Sequence, residues 1–398
     1  MKKHFCYFVA LLWLLVYSMH AQSLADLSFG SDATLDVMTW NIEHFPKFGQ
    51  ATVDSVSLIL QSLQMDVYAL QEISDTTTFK QMVDALDGYD YYFLSSWFGG
   101  LAYVYNSSEV AINDIYEIYT QQPYWRPFPR APMLMDMSFH GEQFYIINNH
   151  FKAFGDGVIN YSDPWDEETR RYDASNLLKD YIDTNLPAQR VIVLGDMNDL
   201  LTDTPPNNVF QTILDDDAHY LFADMAIAQG ASSGWSYPGW PSHLDHLLIT
   251  DELFSSFSNS GSHIQTLIMA DYMAGGFNQY DLIISDHYPV ALQLAEFTEM
   301  QPHMAPAVAV QLCCYPNPFN PTTTLRFSVP DAGDVELAIY TIRGEKVTTL
   351  LKSFTSPGTH QVQWDGRNNL HRQVASGVYV ARLVTSSGCS TQKMLLLK

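Results

Sequence analysis

Short apolar runs that end in an amide, a carboxylate or an imidazole recur along the first three quarters of the chain. Asn41 follows the run 35–40, and Glu72 follows 66–70 and one glutamine. Asn148 and His150 close the run 144–147, and Asp196 and Asn198 follow 191–195. With the opposite polarity, Asp245 opens 244–249 and the pair Asp286-His287 stands ahead of 289–294. The runs are rich in β-branched and aromatic residues and bounded by turn formers, which predicts strands; 101–105 and 190–194 read the same way. Where neighbouring strands run antiparallel, the end of one lies beside the start of the next. Four strand ends and two strand starts can therefore meet along one edge. Val53, Val56, Leu60 and Leu63 recur at helical spacing between the first two runs, as do Ala174, Leu177, Leu178 and Tyr181 before the strand at 190. Many strands with few helices predict a layered α/β domain on mixed sheets.

Charge and composition divide the chain. Residues 22–301 carry 39 acidic and nine basic side chains, a net of −30, whereas residues 302–398 carry five and nine. Between them, the proline-punctuated stretch from Gln301 reads as a linker over 301–315, with the larger domain at 22–300 and a smaller one at 316–398. The smaller domain reads as strand after strand (324–329, 335–340, 346–350, 360–364, 378–384 and 393–397). Hairpin turns are expected at 331–334 and 343–345. It holds no cluster of carboxylates and histidines, which argues against catalysis there. At the start, Lys2 and Lys3 precede an apolar stretch from Phe5 to Tyr17, and Ala21 is a plausible cleavage point. That stretch is shorter than the ~20 residues of a membrane span, so residues 1–21 read as a secretory signal peptide, no transmembrane span is expected and the mature chain is exported. Four cysteines are too few for a disulfide framework; Cys313 or Cys314 paired with Cys389 is a pairing the spacing leaves open.

The residue types at the strand ends point to a chemistry. Glu72 and Asp196 offer hard oxygens, Asn41 and Asn198 add amide oxygens, and no His₃ or cysteine cluster supplies soft ligands. This set favours Mg²⁺, Mn²⁺ or Ca²⁺ over zinc. Hydrolysis also needs a base near neutral pH, and His287 with Asp245 as its carboxylate partner suits that role. Phosphoester hydrolysis fits this inventory best.

Seven motifs in order carry a resemblance. They are Thr39-Trp-Asn-Ile-Glu-His-Phe, Leu70-Gln-Glu-Ile, Arg130-Ala-Pro, Asn148-Asn-His-Phe-Lys-Ala, Leu194-Gly-Asp-Met-Asn, Ser242-His-Leu-Asp-His-Leu-Leu and Ile284-Ser-Asp-His-Tyr-Pro-Val. Together they resemble the endonuclease/exonuclease/phosphatase superfamily, and in part its secreted deoxyribonuclease I-like nucleases. The resemblance implies a four-layered α/β sandwich of two mixed sheets flanked by helices, and metal-dependent phosphoester hydrolysis. It implies metal binding by Glu72 with Asn41 and Asp286, and His287 as base with Asp245 as its partner. It further implies that Asp196 and Asn198 position the nucleophile and the scissile phosphate, that His150 acts as acid or phosphate contact, and that Arg130 and Asn148 contact substrate. Deoxyribonuclease I-like members pair the second histidine with a glutamate just before the strand equivalent to 101–105. Here that stretch reads Trp97-Phe-Gly-Gly, so the partner of His150 is open. In the smaller domain, Tyr315-Pro-Asn-Pro-Phe-Asn-Pro, Trp364-Asp-Gly-Arg and Ala375-Ser-Gly-Val-Tyr resemble the type A sorting domain of the type IX secretion system. That implies an immunoglobulin-like β-sandwich, export by that machinery, and a secreted or surface-attached product.

The leading expectation is an extracellular nuclease acting as a monomer on nucleic acid. Lys152 and the pair Arg170-Arg171 favour it, while the net of −30 counts against a broad phosphate-gripping surface. A small-molecule phosphodiesterase or phosphatase, acting on lipid head groups or sugar phosphates, is the nearest competitor. Trp235, Tyr237 and Trp240, just ahead of Asp245, suit a base, a lipid pocket or plain packing. A binding protein on a degenerate hydrolase scaffold is the third reading, opposed by the retention of Glu72, Asp196, Asn198, Asp245 and His287.

Overall fold

The computed structural model describes residues 22–94, 99–295 and 312–397 apart from 330, 331, 342, 357, 371, 386 and 387. The expected signal peptide and most of the expected linker lie outside the described residues. The chain divides near residue 296 into two compact units.

The first unit holds two six-stranded mixed sheets. Its strands are β1 (Leu35–Phe45), β2 (Val67–Ile73), β3 (Tyr89–Phe93), β4 (Gly100–Asn106), β5 (Val110–Glu117), β6 (Met133–Phe139), β7 (Glu142–His150), β8 (Val191–Asp196), β9 (Tyr220–Phe222), β10 (Asp245–Thr250), β11 (His263–Thr266) and β12 (Val290–Leu294). One sheet has the order β11-β12-β1-β2-β4-β3 and the other β5-β6-β7-β8-β10-β9. Each has a single parallel pair at its centre, β1 with β2 and β7 with β8, flanked by antiparallel neighbours. A parallel pair needs a crossover, and both predicted helices supply one: α1 (Gln50–Leu63) between β1 and β2, and, after α2 (Thr76–Val83), α3 (Glu167–Asn185) between β7 and β8. Val56, Leu60 and Leu63 of α1 join Met38, Trp40, Tyr68 and Leu70 in one apolar core.

Buried polar side chains tie the two sheets together. Tyr103 on β4 donates to the carbonyls of Met133 and Ile146 in the other sheet, 2.8 Å each. Gln71 Nε2 on β2 donates to Asn148 Oδ1 on β7 (2.8 Å). Asn148 Nδ2 donates back to the carbonyls of Leu70 (3.1 Å) and Ala102 (3.0 Å). Asn148, expected at the substrate, is thus fully buried with its amide spent on this bridge. It is corrected to an element of the inter-sheet packing.

The second unit is all antiparallel. A three-stranded sheet joins β13 (Leu312–Tyr315), β14 (Thr323–Val329) and β17 (Gly358–Trp364). A four-stranded sheet joins β16 (Lys346–Thr355), β15 (Gly333–Thr341), β18 (Gly377–Thr385) and β19 (Gly388–Leu396). Leu325, Leu337, Trp364, Leu383 and Leu396 fill the core. β13 falls within the stretch read from sequence as linker. The turn at 343–345 joins paired strands, with Gly344 at φ +82°. The one expected at 331–334 does not, because β14 and β15 pair with other strands in different sheets. Cys314 is buried and Cys389 exposed.

Candidate functional site

The parallel strands of both sheets end at a common rim. In register, Asn41 stands beside Gln71, His150 beside Asp196, and Asp196 beside Asp245. Local backbone distortions aim the side chains. β1 does not stop at Trp40 but runs on to Phe45, with Glu43 (φ +34°) and His44 (φ +52°) in left-handed conformations and a register shift between Asn41 and Phe45. Glu72 itself is left-handed (φ +65°), within a register shift between Leu70 and Ile73. Irregularities of this kind beside an active site re-aim side chains that a regular pleat would bury. Close packing of the rim also depends on Gly195, at φ +148°, where a Cβ would sit 2.1 Å from the Asn149 carbonyl oxygen.

Asp196 is the hub. Its Oδ2 accepts from Asn41 Nδ2 (3.0 Å) and lies 3.5 Å from His150 Nε2 and 3.8 Å from His287 Nε2. Its Oδ1 accepts from the backbone N–H of Asn198 (3.1 Å). Asn41 Nδ2 also donates to Glu72 Oε1 (3.2 Å), which is 3.9 Å from His150 Nε2. His287 Nδ1 donates to Asp245 Oδ2 (2.8 Å), and Asp286 Oδ1 lies 3.9 Å from His287 Nε2. The backbone around the histidine is pinned: Ser285 Oγ donates to the Asn41 carbonyl (2.6 Å) and accepts from His287 N (3.0 Å). Nine of the ten residues singled out from sequence therefore lie at or beside one pocket, and Asn148 lies beneath it. Arg130 is half-buried and donates from Nε to the Gly99 carbonyl (2.9 Å); burial lowers its pKa from the ordinary value, against the opposing pull of Glu72 and Asp196. Asn198, left-handed at φ +53°, turns its amide toward the Phe151 carbonyl (3.5 Å). Asn41, expected to offer an oxygen to an ion, instead presents its NH₂ to the two carboxylates while its oxygen accepts from Glu43 N (2.9 Å). It spaces the carboxylates in this arrangement.

Electrostatics follow from the crowding of buried and half-buried acids around two imidazoles. Burial pushes the Asp196 carboxyl up to about 7, with Asp245 and Glu72 adding to the rise against His287 and Asn41. Burial and neighbouring Glu43 raise Asp286 to about 6, despite His287. Burial alone would depress His287, but Asp245, Asp196 and Asp286 hold it at about 10. Burial, then the charges of Arg130, His287 and His44, hold His150 well below its ordinary value. Its Nδ1 is buried without a hydrogen-bond partner, so its Nε2 side toward Asp196 and Glu72 is the only one engaged. Trp97 and Phe98 lie outside the described residues. Four carboxylates, no sulfur ligand and a buried Asp245 Oδ1 with no partner fit a hard divalent cation, whose charge this pocket lacks.

Sequence reasoning passed over His44. His44 sits on the mouth, mostly exposed, with Nδ1 3.2 Å from Glu72 Oε2 and its backbone N–H donating to the same oxygen (3.1 Å). Its place in the first motif was the only signal. Among the three aromatics, Trp235 packs with Nε1 on the Ile227 carbonyl (3.1 Å), while the Tyr237 ring lies 4.8 Å from that of His287. Trp240 stands exposed at the tip of the bridge between Tyr237 and Ser242.

Comparison with known proteins follows this geometry. The second unit matches the secretion system C-terminal sorting domain over residues 313–397; the chain is accordingly secreted or attached at the cell surface, and its partner in export is the type IX secretion machinery. No helix among the described residues is long and apolar enough to cross a membrane. No curated protein matches the sequence significantly. Similar solved structures include TDP2 of D. rerio complexed with a single-strand DNA product (14% identity, 67% of this chain and 100% of that one, TM-score 0.49). They also include the human Nocturnin catalytic domain with bound sulfate (16% identity, 67% and 96%, TM-score 0.48). A third is a mannosyl-6-phosphatase of Bacteroides thetaiotaomicron (15% identity, 66% and 100%, TM-score 0.46). Residues 38–287, more than half of the chain and the whole of the rim, match the endonuclease/exonuclease/phosphatase family model, and the chain belongs to that family of phosphoester hydrolases.

Proposed function

We propose that the chain is an extracellular, metal-dependent nuclease that hydrolyses phosphodiester bonds at the rim shared by its two sheets. The observation that carries this reading is the convergence of Glu72, Asp196 and the Asp245–His287 pair from three strands and the segment ahead of β12, in two sheets. Glu72 and Asp286 would hold the ion, with Asn41 fixing the spacing of Glu72 from Asp196. When bound, a divalent ion supplies charge that polarises a phosphoryl oxygen and stabilises the departing one. Three acids hold His287 protonated in the ion-free pocket, and with a cation's charge offsetting them its Nε2 would be free to take the proton of the attacking water, while Nδ1 stays committed to Asp245 and sets the tautomer and ring orientation. Asp196, within reach of that nitrogen, orients the water. Asn198, neutral His150 and Arg130 face the phosphate as hydrogen-bond donors, and Arg130 brings a fixed positive charge to a pocket otherwise lined by acids. Trp240, exposed in the turn whose Tyr237 packs against His287, offers a ring on which a nucleobase could stack.

A second reading keeps the site and changes the substrate. The net charge of −30 over residues 22–301 favours compact phosphoesters, which need few basic contacts. Hydrolysis rates on single-stranded DNA, duplex DNA, RNA, a lipid phosphodiester and a sugar phosphate, each with Mg²⁺, Mn²⁺ or chelator, separate the two. Turnover confined to the small esters would overturn the nuclease reading and leave the site assignment standing.

A further inference from the structure

Behind the rim lies a second buried group, Asp224, His243 and His246, whose ligand-type atoms fall within 4.8 Å of one another. That spacing suits a metal ion, yet each ring nitrogen already has a hydrogen-bond partner. The backbone N–H of Ser236 points at His243 Nδ1 (3.2 Å), so that nitrogen carries the lone pair and the ring proton sits on Nε2, donated to Asp224 Oδ2 (3.1 Å). His246 faces an acceptor on each side. Nε2 donates to the Asp199 carbonyl (2.9 Å) and Nδ1 to Asp224 Oδ2 (2.6 Å), which makes the ring an imidazolium. Leu247 N donates to the other Asp224 oxygen (2.9 Å). Burial opposes both charges, but their pairing holds Asp224 below and His246 above the ordinary value. Every nitrogen of the two rings is spoken for, and none is left for an ion.

From His246 the buried contacts continue toward the catalytic loops. The Asp199 carboxylate accepts from Arg171 Nε (2.7 Å), and Arg171 Nη1 donates to the carbonyls of Lys152 (2.7 Å) and Phe154 (2.5 Å), while Nη2 pairs with Glu168 (3.2 Å). Ser236, whose N–H sets the His243 tautomer, accepts at Oγ from Asp245 N (3.2 Å) and at its carbonyl from Tyr288 N (2.7 Å). The contacts thus reach the segments carrying His150, Asn198, Asp245 and His287 from behind, without touching the pocket.

We propose that Asp224, His246, Asp199 and Arg171 are positioning residues for the hydrolysis, a buried relay that holds the segments after His150 and after Asp196 at a set distance from the Asp245–His287 pair. The inference rests on the reading of that rim as catalytic. The relay binds no substrate, so breaking it lowers kcat and leaves KM little changed. Displacements of about 1 Å at reacting groups, and loss of partners behind them, cost about 10–100-fold.

The test uses the full mature chain and two measurements. In the first, the ring nitrogens are followed by ¹⁵N–¹H correlation on imidazole-labelled protein after metal has been stripped by chelator. The relay requires two protonated nitrogens on His246 and a proton on Nε2 of His243. Retained metal with an unprotonated His246 Nδ1 would overturn it in favour of an ion site. In the second, His246→Asn, which keeps a donor toward Asp224 but loses Asp199, is compared with His246→Gln, which reaches Asp199. The relay predicts kcat down about 10–100-fold in His246→Asn with KM nearly unchanged, and partial recovery in His246→Gln. Parental kcat in His246→Asn, or equal losses of kcat and melting temperature in both variants, would contradict it. Should the parent hydrolyse no phosphoester, the reading of the rim fails, while the imidazole spectrum still decides the relay.

Discussion

His287 and Asp245 meet across the gap between two sheets. Asp245 is the first residue of β10 in one sheet and His287 precedes β12 in the other, and Nδ1 reaches Oδ2 at 2.8 Å with the aspartate fully buried. The pair exists only when both sheets are correctly stacked, so catalytic competence reports on the whole first unit. Replacing Asp245 with Asn would leave the shape but offer an NH₂ or a weaker acceptor to Nδ1, releasing the tautomer. We expect Asp245→Asn to lower kcat by about a hundredfold or more, with little change in melting temperature. Steady-state kinetics and thermal denaturation of the same preparations check this; equal kcat would remove Asp245 from the mechanism.

Metal dependence should be visible without any substrate. Glu72 and its neighbours form a pocket of carboxylates with too little positive charge. Saturating Mg²⁺ or Mn²⁺ is expected to raise the melting temperature, since a ligand at 100 times its Kd stabilises by about 2.7 kcal/mol. Glu72→Gln should lose most of that shift. A full shift in the variant would place the ion elsewhere.

At the far end of the strands, Asp66 and Asp36 are a test of stability rather than of catalysis. Asp66 Oδ2 accepts from the Asp36 backbone N–H (2.8 Å), and burial, with neighbouring acids, raises Asp66 to about 7 and Asp36 to about 6. A carboxyl whose folded value lies above its unfolded one stabilises fully below the unfolded value of 3.8, and that contribution is lost as pH rises through the folded value. The first unit should therefore lose stability from pH 4 to pH 8. Asp66→Asn, which keeps an acceptor, should reduce this loss by an amount on the order of 2 kcal/mol. Urea denaturation at both pH values checks it; parallel curves for the two proteins would contradict it.

Much of the rim was legible from strand ends alone, because both parallel pairs deliver their last residues to one edge. What was missed has physical causes. Edge strands β3, β5, β9 and β11 lacked strong apolar runs, since an edge is covered on fewer sides; the exposed alternation of β5 is an instance. The continuation of β1 past Asn41 depends on two left-handed residues that no propensity announces. Asn148 misled because a buried amide that bridges sheets looks, in sequence, like one that binds substrate. Asp224 could not be found at all: nothing near residue 224 signals that two histidines some twenty positions later will converge on it.

Gly195 offers a check on the packing of the rim. A methyl there would meet the Asn149 backbone in a conformation that already disfavours side chains. Gly195→Ala is expected to destabilise the first unit by about 2–4 kcal/mol, read as a shift in denaturation midpoint. A neutral effect would mean that β7 and β8 are free to separate.

Trp240 separates the substrate classes. If it stacks a base, Trp240→Ala should reduce kcat/KM on single-stranded DNA about tenfold or more, and leave a small aryl phosphodiester unaffected. Equal effects on both would remove the stacking role.

The most direct measurement is hydrolysis of single-stranded DNA by the mature chain with Mg²⁺, beside the same reaction by His287→Ala at matched folding. The account predicts turnover in the parent, abolished by chelator, and a fall of about 10²–10⁴-fold in the variant. Undiminished cleavage by His287→Ala would contradict it.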